Sequence, residues 1–146
     1  MGIQKQQFYE GAALHQLIRG TEGRMSIMHS SPFFTINDRL TVHLKYCTAK
    51  RSPWSFTFTP LEQRDLLRAA SQSDLIIGLI CGADGVSALP FADYAKIAQH
   101  RETSLRISCK RLYRKHFEVT GPDAILSRKI APSEWVNLLA NMEAVA

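Results

Sequence analysis

The chain has 146 residues, 45% of them hydrophobic and 21% charged, with a formal net charge of +5. That length fits one domain spanning 1–146, and the composition excludes a mainly disordered chain. The longest apolar run, residues 75–81, is too short to span a bilayer, and the opening Met-Gly-Ile-Gln-Lys-Gln-Gln has no apolar signal core. A cytoplasmic location without a membrane partner is therefore expected.

Residues 8–18 place apolar side chains at helical spacing (Phe8, Ala12, Leu14, Leu17 and Ile18), with Gly20 as a stop. Three strands are expected next, at 24–30, 33–36 and 40–47. Asn37-Asp38 forms a tight turn between the last two, since both residues tolerate the left-handed backbone region. The third strand alternates, with Leu40, Val42, Leu44 and Tyr46 on one face and Thr41, His43, Lys45 and Cys47 on the other. A polar loop at 48–53 leads to a fourth strand in which Trp54, Phe56 and Phe58 share a face, so an antiparallel hairpin of strands three and four is expected.

Thr59-Pro60-Leu61-Glu62 reads as a capping box with proline in the first helical position, opening a helix to about residue 70. The apolar run ending at Cys81 predicts a central strand covered on both faces. Gly82-Ala83-Asp84-Gly85 then turns into a short strand at 86–89, and Pro90 leads into a helix at 91–99. Strands are expected at 104–109, 113–119 and 125–130. Pro132 opens a last helix to about residue 142, with Trp135, Leu138 and Leu139 inward. The pattern predicts an α+β fold with a central mixed, largely antiparallel sheet and about four flanking helices. Residues 103–146 form its C-terminal strands and helix.

Cys47, Cys81 and Cys109 lack C-x-x-C spacing and lie in apolar or strand-like runs, so free and mostly buried thiols are expected, with no metal ligands. Charge is uneven: residues 1–60 hold seven Lys/Arg against three acids, 61–102 four against six, and 103–146 seven against four. Basic ends around an acidic middle point to an anionic partner, nucleic acid first.

The order helix, strand hairpin, helix, strand in residues 6–89, with Glu10 on the first helix and His43-x-Lys45 on a strand, resembles the core of the PD-(D/E)xK, or restriction-endonuclease-like, nuclease superfamily. The resemblance implies a helix carboxylate, a strand Asp and a Glu-x-Lys strand converging on one or two Mg²⁺ ions, hard cations that take oxygen ligands. It places the candidate catalytic residues at Glu10, His43 and Lys45. His43 stands where the family has Glu or Asp. Where the strand Asp is due, this chain has Ser30, Ser31 and Pro32, with Asp38 nearby in the turn. The expectation is thus a nuclease-like core with an eroded catalytic site and no cofactor, Mg²⁺ entering only if the site still cleaves.

Two basic clusters are candidate nucleic-acid contacts: Lys45, Lys50 and Arg51, with Trp54, and Lys110, Arg111, Tyr113, Arg114 and Lys115, with His116. Cations neutralise phosphates and an aromatic ring stacks on an unpaired base. Trp54 alternates with Phe56 and Phe58, which assigns it to the core. The Gly82–Gly85 segment lacks the Lys-Ser/Thr of a phosphate loop and reads as a turn, with Asp84 at the end of a central strand. The function expected is nucleic-acid association, with DNA or RNA as partner. The alternatives are a protein-interaction module, acting as inhibitor or accessory subunit, and an active metal-dependent nuclease.

Overall fold

The computed structural model describes residues 2–145, with side chains to residue 141; Met1 and Ala146, the ends of the expected domain, lie outside the described residues. The first helix, α1 (Lys5–Gly20), is followed by β1 (Ile27–Ser30), β2 (Phe33–Ile36), β3 (Leu40–Cys47) and β4 (Trp54–Phe58). Then come α2 (Pro60–Gln72), β5 (Asp74–Cys81), β6 (Val86–Pro90), α3 (Phe91–Ile97), β7 (Leu105–Arg111), β8 (Phe117–Thr120), α4 (Pro132–Val136) and α5 (Leu138–Val145). The fold is α+β, with its strands divided between a five-stranded sheet, β1-β2-β3-β5-β6, and a three-stranded sheet, β4-β7-β8.

β3 and β5 lie at the centre of the larger sheet and pair in parallel from Leu40↔Asp74 to Cys47↔Cys81. Parallel neighbours need a long crossover, here supplied by β4 and α2. Apolar side chains cover both faces of the pair. On one face α1 and α4 bring Ala13, Leu17 and Trp135 against Val42, Leu44 and Ile80. On the other, the smaller sheet and α2 bring Trp54, Phe56, Phe58 and Leu66 against Ile77 and Leu79. Thr59 caps α2 by accepting from the Glu62 amide at 3.2 Å, completing the expected capping box. Asn37 and Asp38 both adopt positive φ, 53° and 54°, in the expected turn.

Several expectations are corrected. β3 and β4 do not form a hairpin: β3 lies between β2 and β5, and β4 pairs with β7. The apolar face of β4 is better buried as a second layer over the sheet than beside β3. Only residues 27–30 of the first expected strand pair, and all four are exposed. α1 buries Ala13 and Leu17 while Phe8 and Ile18 face outward, a rotation of the expected stripe set by the sheet below. Tyr113 lies in a turn and not in a strand, since β8 begins at Phe117. The expected strand at 125–130 is reduced to isolated bridges, Thr120↔Ile125 and Phe117↔Ile130, and Arg128 between them pairs with Asp93 and Glu134. The last helix breaks at Asn137 into α4 and α5, while Trp135, Leu138 and Leu139 are buried as expected.

Candidate functional site

β2 is shorter than β3, and their pairing ends at Phe33↔His43. Beyond that point β3 has a strand neighbour only on its β5 side. At the open edge lies a cavity of about 400 Å³, lined by Glu10 from α1, Ser31 and Pro32 from the β1–β2 turn, His43 and Lys45 from β3, and Glu62 from α2. α1 and α2 cover opposite faces of the sheet, and only at such an edge do side chains from both faces share one space. Glu10, His43 and Lys45 thus line the same cavity.

Glu62 organises its inner wall. Its Oε2 accepts from Lys45 Nζ at 2.8 Å and lies 3.4 Å from His43 Nε2. Its Oε1 accepts from the Thr59 amide at 3.3 Å, the second half of the cap. Burial pushes the Glu62 carboxyl upward, but hydrogen bonds from His43 and Lys45 and the lysine charge outweigh it, holding the pKa down to about 2. Lys45 Nζ also donates to the Thr57 carbonyl at 2.6 Å and lies 4.9 Å from the centre of the Phe58 ring. An ammonium has three donors, so one stays free for a ligand oxygen. His43 is buried between the rings of Phe33 and Phe58, and its Nδ1 has no hydrogen-bond partner. Glu10 is half-buried and accepts from Gln6 at 2.9 Å.

The residues present do not fit a resident Mg²⁺. Both oxygens of Glu62 are engaged by protein donors, and among the described residues no three His, Cys, Asp or Glu side chains are grouped to hold a metal ion. What the pocket offers is a neutralised lysine, a buried imidazole and one further carboxylate.

Glu62 and His29 are the site residues that sequence reasoning missed. Glu62 was legible as a cap, but its approach to Lys45 depends on the excursion of the chain through the second sheet. His29, exposed and stacked on Phe34 at 4.7 Å, also lines the cavity and carried no sequence signal.

The loop of the first basic cluster meets the second cluster, while Lys45 is held apart from both by Thr57 and Glu62. Ser52 Oγ donates to the Arg111 carbonyl at 3.0 Å, which places exposed Lys50 and Arg51 beside the β7–β8 turn. Trp54 is in the core, its indole donating to the Ala49 carbonyl at 2.9 Å. Arg111 points inward: it pairs with Asp84 at 3.0 Å and donates to the Lys115 carbonyl at 2.6 Å. Lys110, Tyr113, Arg114 and Lys115 are exposed. The thiols are free, with Cys81 and Cys109 buried and Cys47 half-buried. Among the described residues no helix is long and apolar enough to cross a membrane.

No family model matches the chain, and no curated protein matches it.

Proposed function

We propose that this chain associates with nucleic acid through the basic surface around Lys50, Arg51, Lys110, Arg114 and Lys115, and that its Glu10–His43–Lys45 pocket is a nuclease-like site that no longer cleaves. The observation that carries the binding part is the Ser52–Arg111 hydrogen bond, which brings two basic segments 59 residues apart into contact. Contiguous cations release counterions together when they meet a phosphate backbone. The resemblance to the PD-(D/E)xK superfamily is supported by the helix before a strand meander, the helical crossover to a parallel central strand, and the lining of one cavity by the three expected positions. Loss of cleavage is supported by the shortage of carboxylates: His43 stands where the family has an acid, and both oxygens of Glu62 accept from protein donors.

A mobility-shift titration with single-stranded and duplex DNA and with RNA tests the binding. Retardation that weakens as salt rises is expected, and absent or salt-insensitive binding overturns the reading. Nucleic acid incubated with the protein and Mg²⁺ or Mn²⁺ should remain intact. Cleavage that disappears in Glu10→Ala or Lys45→Ala would return the site to the active nucleases.

A protein-interaction module is the second reading, favoured by large apolar side chains left exposed on α1 and β1: Phe8 at 61%, Ile18 at 49% and Met28 at 61%. A defined protein partner that still binds after Arg51→Glu and Arg114→Glu would favour it.

A further inference from the structure

Resting on the nucleic-acid reading, we propose that the surface formed by the 48–53 loop and the β7–β8 turn selects single-stranded nucleic acid, with Tyr113 as the platform on which an unpaired base stacks. Tyr113 is 83% exposed, the highest exposure of any large hydrophobic side chain described. It adds nothing to either core, so packing gives no reason for an aromatic ring there. The Arg114 guanidinium lies 5.1 Å from the Tyr113 ring centre and supports the ring from one side. Leu112, 59% exposed, adds apolar surface next to it.

The turn is held before any ligand arrives. The Lys115 amide donates to the Leu112 carbonyl at 2.9 Å, and Arg114 takes a positive φ of 56°. Arg111 fastens the base of the turn through Asp84, the Lys115 carbonyl and the Phe117 ring, 5.2 Å from its guanidinium. A ring presented on such a turn loses little freedom on binding.

Seats for the backbone lie on the strand ends and turn that carry the ring. A shallow depression of about 70 Å³ is lined by Lys110, Lys115, His116 and Lys129, together with Leu112 and a single carboxylate, Glu118. Lys50 and Arg51 lie on the side where Ser52 meets Arg111. Cations track a phosphate backbone while an aromatic side chain takes the face of a base, an arrangement that tolerates any sequence but needs the face uncovered. In a duplex those faces are stacked away, and the ring would meet only sugar and phosphate.

Fluorescence anisotropy with labelled oligothymidylate, oligouridylate and a mixed-sequence DNA duplex tests the proposal. Tighter binding of the single strands is expected, and the two single-stranded arms distinguish DNA from RNA. Tyr113→Ala should weaken single-strand binding about tenfold or more, while Tyr113→Phe keeps it. Duplex binding should be unchanged by either. Lys110→Ala and Lys129→Ala should each lower the log–log salt slope on single strands by about 0.7. Circular dichroism and thermal unfolding identical to wild type would establish that the exposed variants fold. Equal affinity for single strand and duplex, or no loss in Tyr113→Ala, overturns this inference and leaves the nucleic-acid reading standing. No binding to any of the three polymers overturns both.

Discussion

Glu62 serves two structures with one carboxylate: Oε1 closes the cap of α2, and Oε2 holds Lys45 and His43. Its folded pKa, about 2, lies below the ordinary value of 4.5. The folded state therefore prefers the ionised form, and the associated stability is complete above the ordinary value and drains away as pH falls toward the folded one. Wild-type stability in urea should decline through that acid window. Glu62→Gln should cost about 2 kcal/mol at neutral pH, since it strips a charged partner from a half-buried lysine, and should flatten the acid decline. An acid limb identical to wild type would assign the decline to other carboxylates. The tetrapeptide Thr59-Pro60-Leu61-Glu62 made the cap legible in the sequence. The link to Lys45 was not, because a local pattern does not say which distant side chain meets the second oxygen.

Elements that read well from sequence are those whose pattern leaves one packing solution. The continuous apolar run of β5 predicted a central strand, and it pairs with β3 on one side and β6 on the other. Gly78 within it carries a packing role invisible in the pattern. A Cβ there would meet Leu44 Cδ2 at 2.7 Å and the Trp135 ring at 3.1 Å, so the bare backbone lets α4 lie against the sheet. Gly78→Ala should destabilise by about 1–3 kcal/mol through overpacking, read as a lowered midpoint in chemical denaturation with an unchanged slope. Thr59→Ala should cost about 1 kcal/mol through the lost cap and leave the acid decline of Glu62 in place. β4 read correctly as an alternating strand but was given the wrong neighbour. Alternation says which side chains share a face, and nothing about which strand lies alongside.

Across the whole molecule, one buried polar side chain ties the layers together. The Gln63 amide nitrogen donates to the carbonyls of Phe58 at 3.1 Å and Thr103 at 2.9 Å, and its oxygen accepts from the Arg101 amide at 2.9 Å. It joins α2 to the end of β4 and to the segment that enters β7. Gln63→Leu keeps the volume but orphans three backbone groups, and should cost about 3 kcal/mol. Loss of less than a third of that would mean the backbone finds other partners there. At the opposite face the Trp135 indole donates to the Ala13 carbonyl at 3.0 Å, fastening α4 to α1 across 122 residues.

Chain-local signals determined the α+β class, most element positions, the Asn37-Asp38 turn, the Thr59 cap and the core assignment of Trp54. Each rests on periodicity, capping or turn chemistry, which act over a few residues. Tertiary structure alone decided the division into two sheets, the face α1 turns inward, and the meeting of Glu10, His43, Lys45 and Glu62 at the edge that β2 leaves open. It also brought the 48–53 loop to the end of β7 and turned Arg111 toward Asp84. Those outcomes depend on which distant surfaces bury each other best, a competition among long-range contacts that no short window of sequence contains.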